Sequence, residues 1–162
     1  WKNDRMNLFI RTMGKRIGPK AETEEGRKKL LVVDGEPYWF SADMALYFNY
    51  YILQAYDCSS YADLDNRFSQ LVLQFSSKQT EEEIAKKLIV TENFEAHSGT
   101  GGVTFTTRDG QSVPSYLGMA TWQPLNGRKG GIGSYHMEKD YAANPVYKYL
   151  RKGIQLMNPA VK

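Results

Sequence analysis

The stretch DMALYFNYYILQAYD, residues 43–57, decides how the rest of the chain is read. Thirteen residues between its two aspartates carry no charge and include four tyrosines. A run of that length makes about three to four helical turns and is too short to cross a bilayer. It reads as a buried central helix, with Ser41 as its cap and its tyrosine hydroxyls finding partners inside the fold.

Around that helix the expected fold class is α+β, with about five helices around a small, mostly antiparallel sheet. Residues 30–33 and 38–40 flank Asp34-Gly35, a dipeptide suited to a hairpin, and Pro37 places the second strand at an edge. Asn3 or Asp4 can cap a first helix to about residue 16, because Met6, Ile10, Met13 and Ile17 share one face. Gly18-Pro19 ends it. Downstream of the central run, a helix over 63–76 presents Leu64, Phe68, Leu71, Val72 and Phe75 as its apolar stripe. Thr80 and Glu83 form a capping box for the next helix, whose Ile84, Leu88 and Ile89 face inward.

The remainder carries weaker patterning. Ser98 to Gly102, SGTGG, is a flexible approach to a strand at 103–107, which Arg108-Asp109-Gly110 turns back toward Ser112-Val113. Residues 116–135 are irregular, and NGRKGGIG at 126–133 reads as a mobile loop presenting Arg128 and Lys129. Asn144-Pro145 opens a last helix that Gly153 closes.

The 162 residues suffice for a single domain spanning 1–162 with its own core. Trp1 in place of Met reads as a fragment or domain of a larger protein. One cysteine permits no internal disulfide, and with two separated histidines no all-protein zinc site is expected. No metal or other cofactor is expected. No signal-peptide or membrane-spanning pattern appears, so no membrane partner is expected either, and the place expected is intracellular or host cytoplasm.

The net charge of +3 is unevenly spread. Residues 1–30 hold nine Lys or Arg against four acids, 31–109 hold five against twelve, and 110–162 hold seven against two. Two basic ends flank an acidic middle, and if they converge they suit an anionic partner. Lys15, Arg16, Arg128, Lys129, Lys148, Arg151 and Lys152 could neutralise phosphates, and Tyr116, Trp122 and Tyr135 could stack on unpaired bases. The leading reading is therefore a noncatalytic RNA or single-stranded nucleic-acid binding module, as in a viral or replication protein.

Two alternatives stand beside it. Cys58 follows the central run and His97 could accept its proton, which is the pairing of a Cys-His hydrolase. YDCSS, residues 56–60, resembles the cysteine segment of cell-wall peptidases, in which an aspartate precedes the nucleophile and a helix follows; Ser60 stands where that family has glycine. Asp57, Asp63 and Asp65, with Ser98-Gly99 downstream, resemble pieces of viral RNA polymerases, but no Gly-Asp-Asp-like metal motif follows. The second alternative is a structural or assembly protein whose charge asymmetry and aromatics meet an acidic protein surface.

Overall fold

The computed structural model describes residues 4–159. Along the chain come α1 (Asp4–Gly14), α2 (Glu24–Arg27), β1 (Val32–Gly35), a 3-10 turn at Pro37–Trp39 and α3 (Ala42–Ala45). Next are β2 (Tyr50–Gln54), α4 (Tyr61–Phe75), α5 (Glu81–Lys87) and β3 (Leu88–Asn93). The last part holds β4 (Thr104–Thr106), β5 (Ser112–Pro114), α6 (Ser115–Thr121), β6 (Gly131–Tyr135), a 3-10 turn at Met137–Ala142 and α7 (Lys148–Met157). Asn3, a candidate cap of α1, falls outside the described residues.

The stretch 43–57, with its uncharged run 44–56, is not a helix. It divides into the single turn α3 and the strand β2, whose burial alternates: Tyr51 and Leu53 are fully buried, while Tyr50, Ile52 and Gln54 are half-buried. A strand covered to some degree on both faces shows a continuous apolar run, and periodicity alone does not separate such a run from a buried helix.

Strands β1, β2, β3 and β6 form one sheet in that order, and every neighbouring pair is parallel. This overturns the expected antiparallel sheet. Asp34-Gly35 ends β1 instead of turning a hairpin, and residues 37–39 form the 3-10 turn. The β4–β5 hairpin is antiparallel, in line with the reading of the Arg108-Asp109-Gly110 turn.

Parallel neighbours require crossover connections, and the strand order here never reverses along the chain. Right-handed crossovers then put the connecting helices on one face. On that face Tyr51, Leu53, Leu88 and Val90 share a core cluster with Leu64, Phe68, Leu71, Phe75 and Ile84. The rings of Tyr51 and Phe75 lie 5.3 Å apart, and the Tyr51 hydroxyl donates to the Ala45 carbonyl at 2.9 Å. The opposite face carries Asp34, Ile52, Gln54, Asn93 and Tyr135, none of them fully buried. A parallel sheet wound without reversal, with helices along one face only, is a wall of a β/α barrel.

Local signals hold where they are strongest. Thr80 and Glu83 form the capping box, with the Thr80 amide donating to Glu83 at 2.8 Å. Helix α4 buries Leu64, Phe68, Leu71 and Phe75, although its cap is Ser60, which accepts from the Asp63 amide at 3.2 Å. Elsewhere the boundaries move. Leu88 and Ile89 leave α5 directly into β3, the irregular stretch 116–135 contains most of α6 and all of β6, and α7 begins at Lys148. Gly153 lies inside α7 instead of closing it, at a contact where an added Cβ would strike the Tyr116 ring. Among the described residues no helix is long and apolar enough to cross a membrane.

Candidate active site

Polar and aromatic side chains collect where the four parallel strands end. Asp34 closes β1, Gln54 closes β2 with Tyr56 and Asp57 just beyond, Glu92 and Asn93 close β3, and Tyr135 closes β6 with His136 next. Gln54 Nε2 donates to Asp34 Oδ1 at 3.3 Å, which ties the ends of β1 and β2 together. The rings of Tyr56 and Tyr135 lie 6.5 Å apart across β3. Burial raises the Tyr56 hydroxyl pKa, and Asp34, Tyr135 and Glu92 add to the shift, so it acts as a neutral donor at ordinary pH.

Glu92 is fully buried beneath this rim. Its Oε1 accepts from the Asn93 amide at 2.7 Å and the Asp57 amide at 3.3 Å, and its Oε2 accepts from the Ser115 hydroxyl. One carboxylate thus fixes the chain beyond β2, the end of β3 and the start of α6. Asp57 sits at φ 58° and His136 at φ 54°, left-handed values that bulky or branched side chains rarely adopt. Such conformations persist where surrounding contacts hold them, and the Glu92 bond to the Asp57 amide is one such contact.

The SGTGG segment is built rather than loose. Gly99, Gly101 and Gly102 all have positive φ, and a Cβ on Gly102 would strike the Ser115 hydroxyl that bonds Glu92. Nearby, His97 Nε2 and Asp57 Oδ1 lie 2.6 Å apart, and His136 Nδ1 and Glu138 Oε1 also lie 2.6 Å apart. The ligand atoms of Asp57, Glu92 and His97 fall within 4.8 Å of one another. That trio is satisfied internally, since Glu92 already accepts three hydrogen bonds and His97 engages Asp57.

The candidates read from sequence scatter over the surface and the core. Trp122 and Lys129 are buried, and Tyr116 is buried against Phe94, so none of these three can neutralise or stack on a polyanion. Lys129 Nζ donates to the carbonyls of Ala120 and Trp122, and burial, with Arg128 nearby, pushes its ammonium down to about 7. Arg128 donates to the Met157 carbonyl at 2.8 Å, and Lys15 pairs with Glu22 at 3.7 Å. Arg16, Lys148, Arg151 and Lys152 are exposed, the last three on α7. Tyr135 alone of the proposed base-stacking residues belongs to the strand-end site. Cys58 is buried, burial pushes its thiol up to about 11, and His97 faces Asp57 instead, which removes the basis of the Cys-His hydrolase. Asp63 accepts from Ser59, and Asp65 accepts from the Trp122 indole, so the polymerase-like carboxylates each have a structural partner.

Residues 2–156 match the profile of glycoside hydrolase family 18, BT1044-like. The chain belongs to this family. The structure of a BT1044 selenomethionine form with a Glu-to-Gln substitution shares 31% identity with a TM-score of 0.79, covering 97% of this chain and 45% of that one. Endo-β-N-acetylglucosaminidase from Cordyceps militaris, doubly substituted and in complex with fucosyl-N-acetylglucosamine-Asn, shares 22% identity with a TM-score of 0.63, covering 98% of this chain and 54% of that one. Its apo form gives 23% and 0.60, covering 93% and 49%. The two Cordyceps militaris structures speak for the fold alone. This chain therefore spans about half the length of the solved structures it matches. No curated protein matches it.

Family membership corrects the functional reading as well as the fold. The barrel-type parallel sheet is that of a member of glycoside hydrolase family 18, and neither RNA binding nor a viral role has support. The noncatalytic nucleic-acid module, the Cys-His hydrolase and the assembly protein all give way to a carbohydrate-related fold. Sequence reasoning missed Gln54, Tyr56, Glu92 and Asn93. A signal was present: three apolar runs, VVDG, YYILQAYD and LIVTEN, each end in acids or amides, as strands do when they deliver side chains to a barrel rim.

Proposed function

We propose that the strand-end face of this chain is one side of the glycan cleft of an endo-β-N-acetylglucosaminidase, with a substrate that carries β-linked N-acetylglucosamine. The observation that carries this reading is the convergence of Asp34, Gln54, Tyr56, Asn93 and Tyr135 at the carboxyl ends of four parallel strands. Barrel enzymes work at that end, where loop residues can change without disturbing the packed wall. Family membership supports the reaction class, and the linkage is proposed by analogy with the Cordyceps militaris enzymes, which share the fold.

The residues suit a neutral sugar. Gln54 and Asn93 each offer an amide donor and acceptor, Tyr56 offers a neutral hydroxyl, and the Tyr56 and Tyr135 rings give apolar surface for the C–H face of a pyranose. Family 18 hydrolases depart from the two-carboxylate scheme by using substrate assistance. In that route the acetamido oxygen of the sugar takes the place of a protein nucleophile, so the protein must hold the acetamido group against the anomeric carbon. A side chain that orients it lowers the barrier through positioning. In this reading Tyr56, two residues beyond β2 and next to Asp57 with its left-handed backbone, takes that role.

The test is hydrolysis of an N-glycan chitobiose core by the intact protein. Tyr56→Phe should lower kcat/KM about tenfold, the size of one lost hydrogen bond of about 1.4 kcal/mol. Unchanged kcat/KM in Tyr56→Phe and in Gln54→Ala would remove this face from the reaction.

A further inference from the structure

Behind the Tyr56–Asp57 rim, on the side away from β3, lies a second cleft of about 410 Å³. Its floor and walls come from the turn after β1, the segment after β2, and one face of α4. The volume falls within the roughly 300–1,000 Å³ of small-ligand clefts. Unlike such clefts it has almost no aliphatic lining.

Its polar groups are only partly used. Asn66 and Gln70 stand one turn apart on α4, both exposed, and neither amide has a hydrogen-bond partner among the described residues. The Glu36 carboxylate is already engaged, with its Oε1 3.8 Å from Arg67 and the Tyr38 hydroxyl hydrogen-bonded to it, and its Oε2 is closed off from solvent. The carboxylates of Asp57 and Asp63 are held by His97 and Ser59. With Glu36, Asp57 and Asp63 against Arg67, the lining is negative by two charges, which disfavours phosphates, sulfates and acidic sugars. The two engaged aspartates leave no free carboxylate cage for a cation. Tyr38 and Tyr56 add ring faces, and burial with Glu36 beside it pushes the Tyr38 hydroxyl up to about 12, so it remains a neutral donor.

We infer that this cleft is a second sugar subsite, taking a neutral, hydroxyl-rich monosaccharide that branches from the glycan held at the strand ends. It rests on the proposed function, because Tyr56 and Asp57 wall both spaces and a single branched glycan can occupy the two together. Vicinal hydroxyls would pair with the Asn66 and Gln70 amides, each of which can both donate to and accept from a diol. The branch is recognised by binding alone, so its loss should raise KM and leave kcat nearly unchanged.

The experiment is a side-chain amide NMR titration of the intact protein with methyl glycosides of mannose, galactose, fucose and N-acetylglucosamine, and separately with N,N′-diacetylchitobiose. At least one methyl glycoside should shift the Asn66 and Gln70 amides with a Kd of about 1–10 mM, as befits a lone monosaccharide. The exposed double variant Asn66→Leu/Gln70→Leu should weaken binding of the same glycoside at least about tenfold, read at the backbone amides of Tyr38 and Arg67, while diacetylchitobiose still moves Gln54 and Asn93. No response at Asn66 or Gln70 to any methyl glycoside would overturn the inference, as would an equal response to calcium or to inorganic phosphate. If diacetylchitobiose moves nothing at Gln54 or Asn93, it is the proposed function that fails, and a retained monosaccharide response would leave an independent sugar site.

Discussion

Replacing Glu92 tests whether one buried carboxylate holds the rim together. It is fully buried and has no salt-bridge partner among the described residues, so its charge is offset only by hydrogen bonds from Asp57, Asn93 and Ser115. Hydrogen bonds to an ionised group contribute about 1.5–3 kcal/mol each. Desolvating the carboxylate costs several kcal/mol, so the two effects nearly cancel. Glu92→Gln keeps the shape, leaves its amide oxygen to accept from Asp57 and Asn93 at neutral strength while its NH2 donates to the Ser115 oxygen, and relieves the desolvation, so its net cost should stay below about 2 kcal/mol. Glu92→Ala leaves two backbone amides and a hydroxyl without an acceptor, at about 1–3 kcal/mol each, so it should cost at least about 3 kcal/mol. Urea unfolding followed by linear extrapolation reads both, with an unchanged m-value confirming that the comparison is of stability alone. Ser115→Ala combined with Glu92→Gln should show a coupling of about 0.5–3 kcal/mol. A cost below about 1 kcal/mol for Glu92→Ala, or a smaller cost than Glu92→Gln, would refute the reasoning.

Further outcomes follow from other contacts. Lys129 has a folded pKa of about 7 against an ordinary 10.5, so the unfolded chain binds more protons between those values and stability should rise with pH across that window, by at most about 1.4 kcal/mol per pH unit. Lys129→Met should remove that component of the slope in pH-dependent thermal melts, and an unaltered slope would show that Lys129 does not titrate there. Gly102→Ala combines a φ of 109° with a clash against Ser115, and should destabilise by more than about 1 kcal/mol while weakening glycan binding, measured by calorimetry. Thr80→Ala should cost about 1 kcal/mol in urea unfolding through loss of the capping box, with no change in activity.

Much of the helical wall was legible because its signals are local. The Leu64, Phe68, Leu71 and Phe75 stripe and the Thr80 and Glu83 box depend on neighbours three or four residues away, and both appear as read. The sheet was hidden for a physical reason. In β2 the inward residues Tyr51 and Leu53 alternate with Tyr50 and Ile52, which are apolar too because they face the barrel side, so the period of two disappears. In β3 no turn residue separates Lys87 from Leu88, and Ile84, Leu88 and Ile89 counterfeit one helical face. Lys129 misled in the opposite sense: glycine neighbours suggest a solvated loop, whereas two carbonyls at the end of α6 receive its ammonium. The site itself is non-local, since Asp34, Gln54, Asn93 and Tyr135 meet only through the register of four parallel strands.

The most direct test of the glycan cleft is a structure of the intact protein with N,N′-diacetylchitobiose bound. The sugar should lie across the strand ends, with its acetamido group within hydrogen-bond reach of Tyr56 and a ring face on Tyr56 or Tyr135. A sugar bound instead along the basic face of α7, with the ends of β1, β2, β3 and β6 unoccupied, would contradict the account.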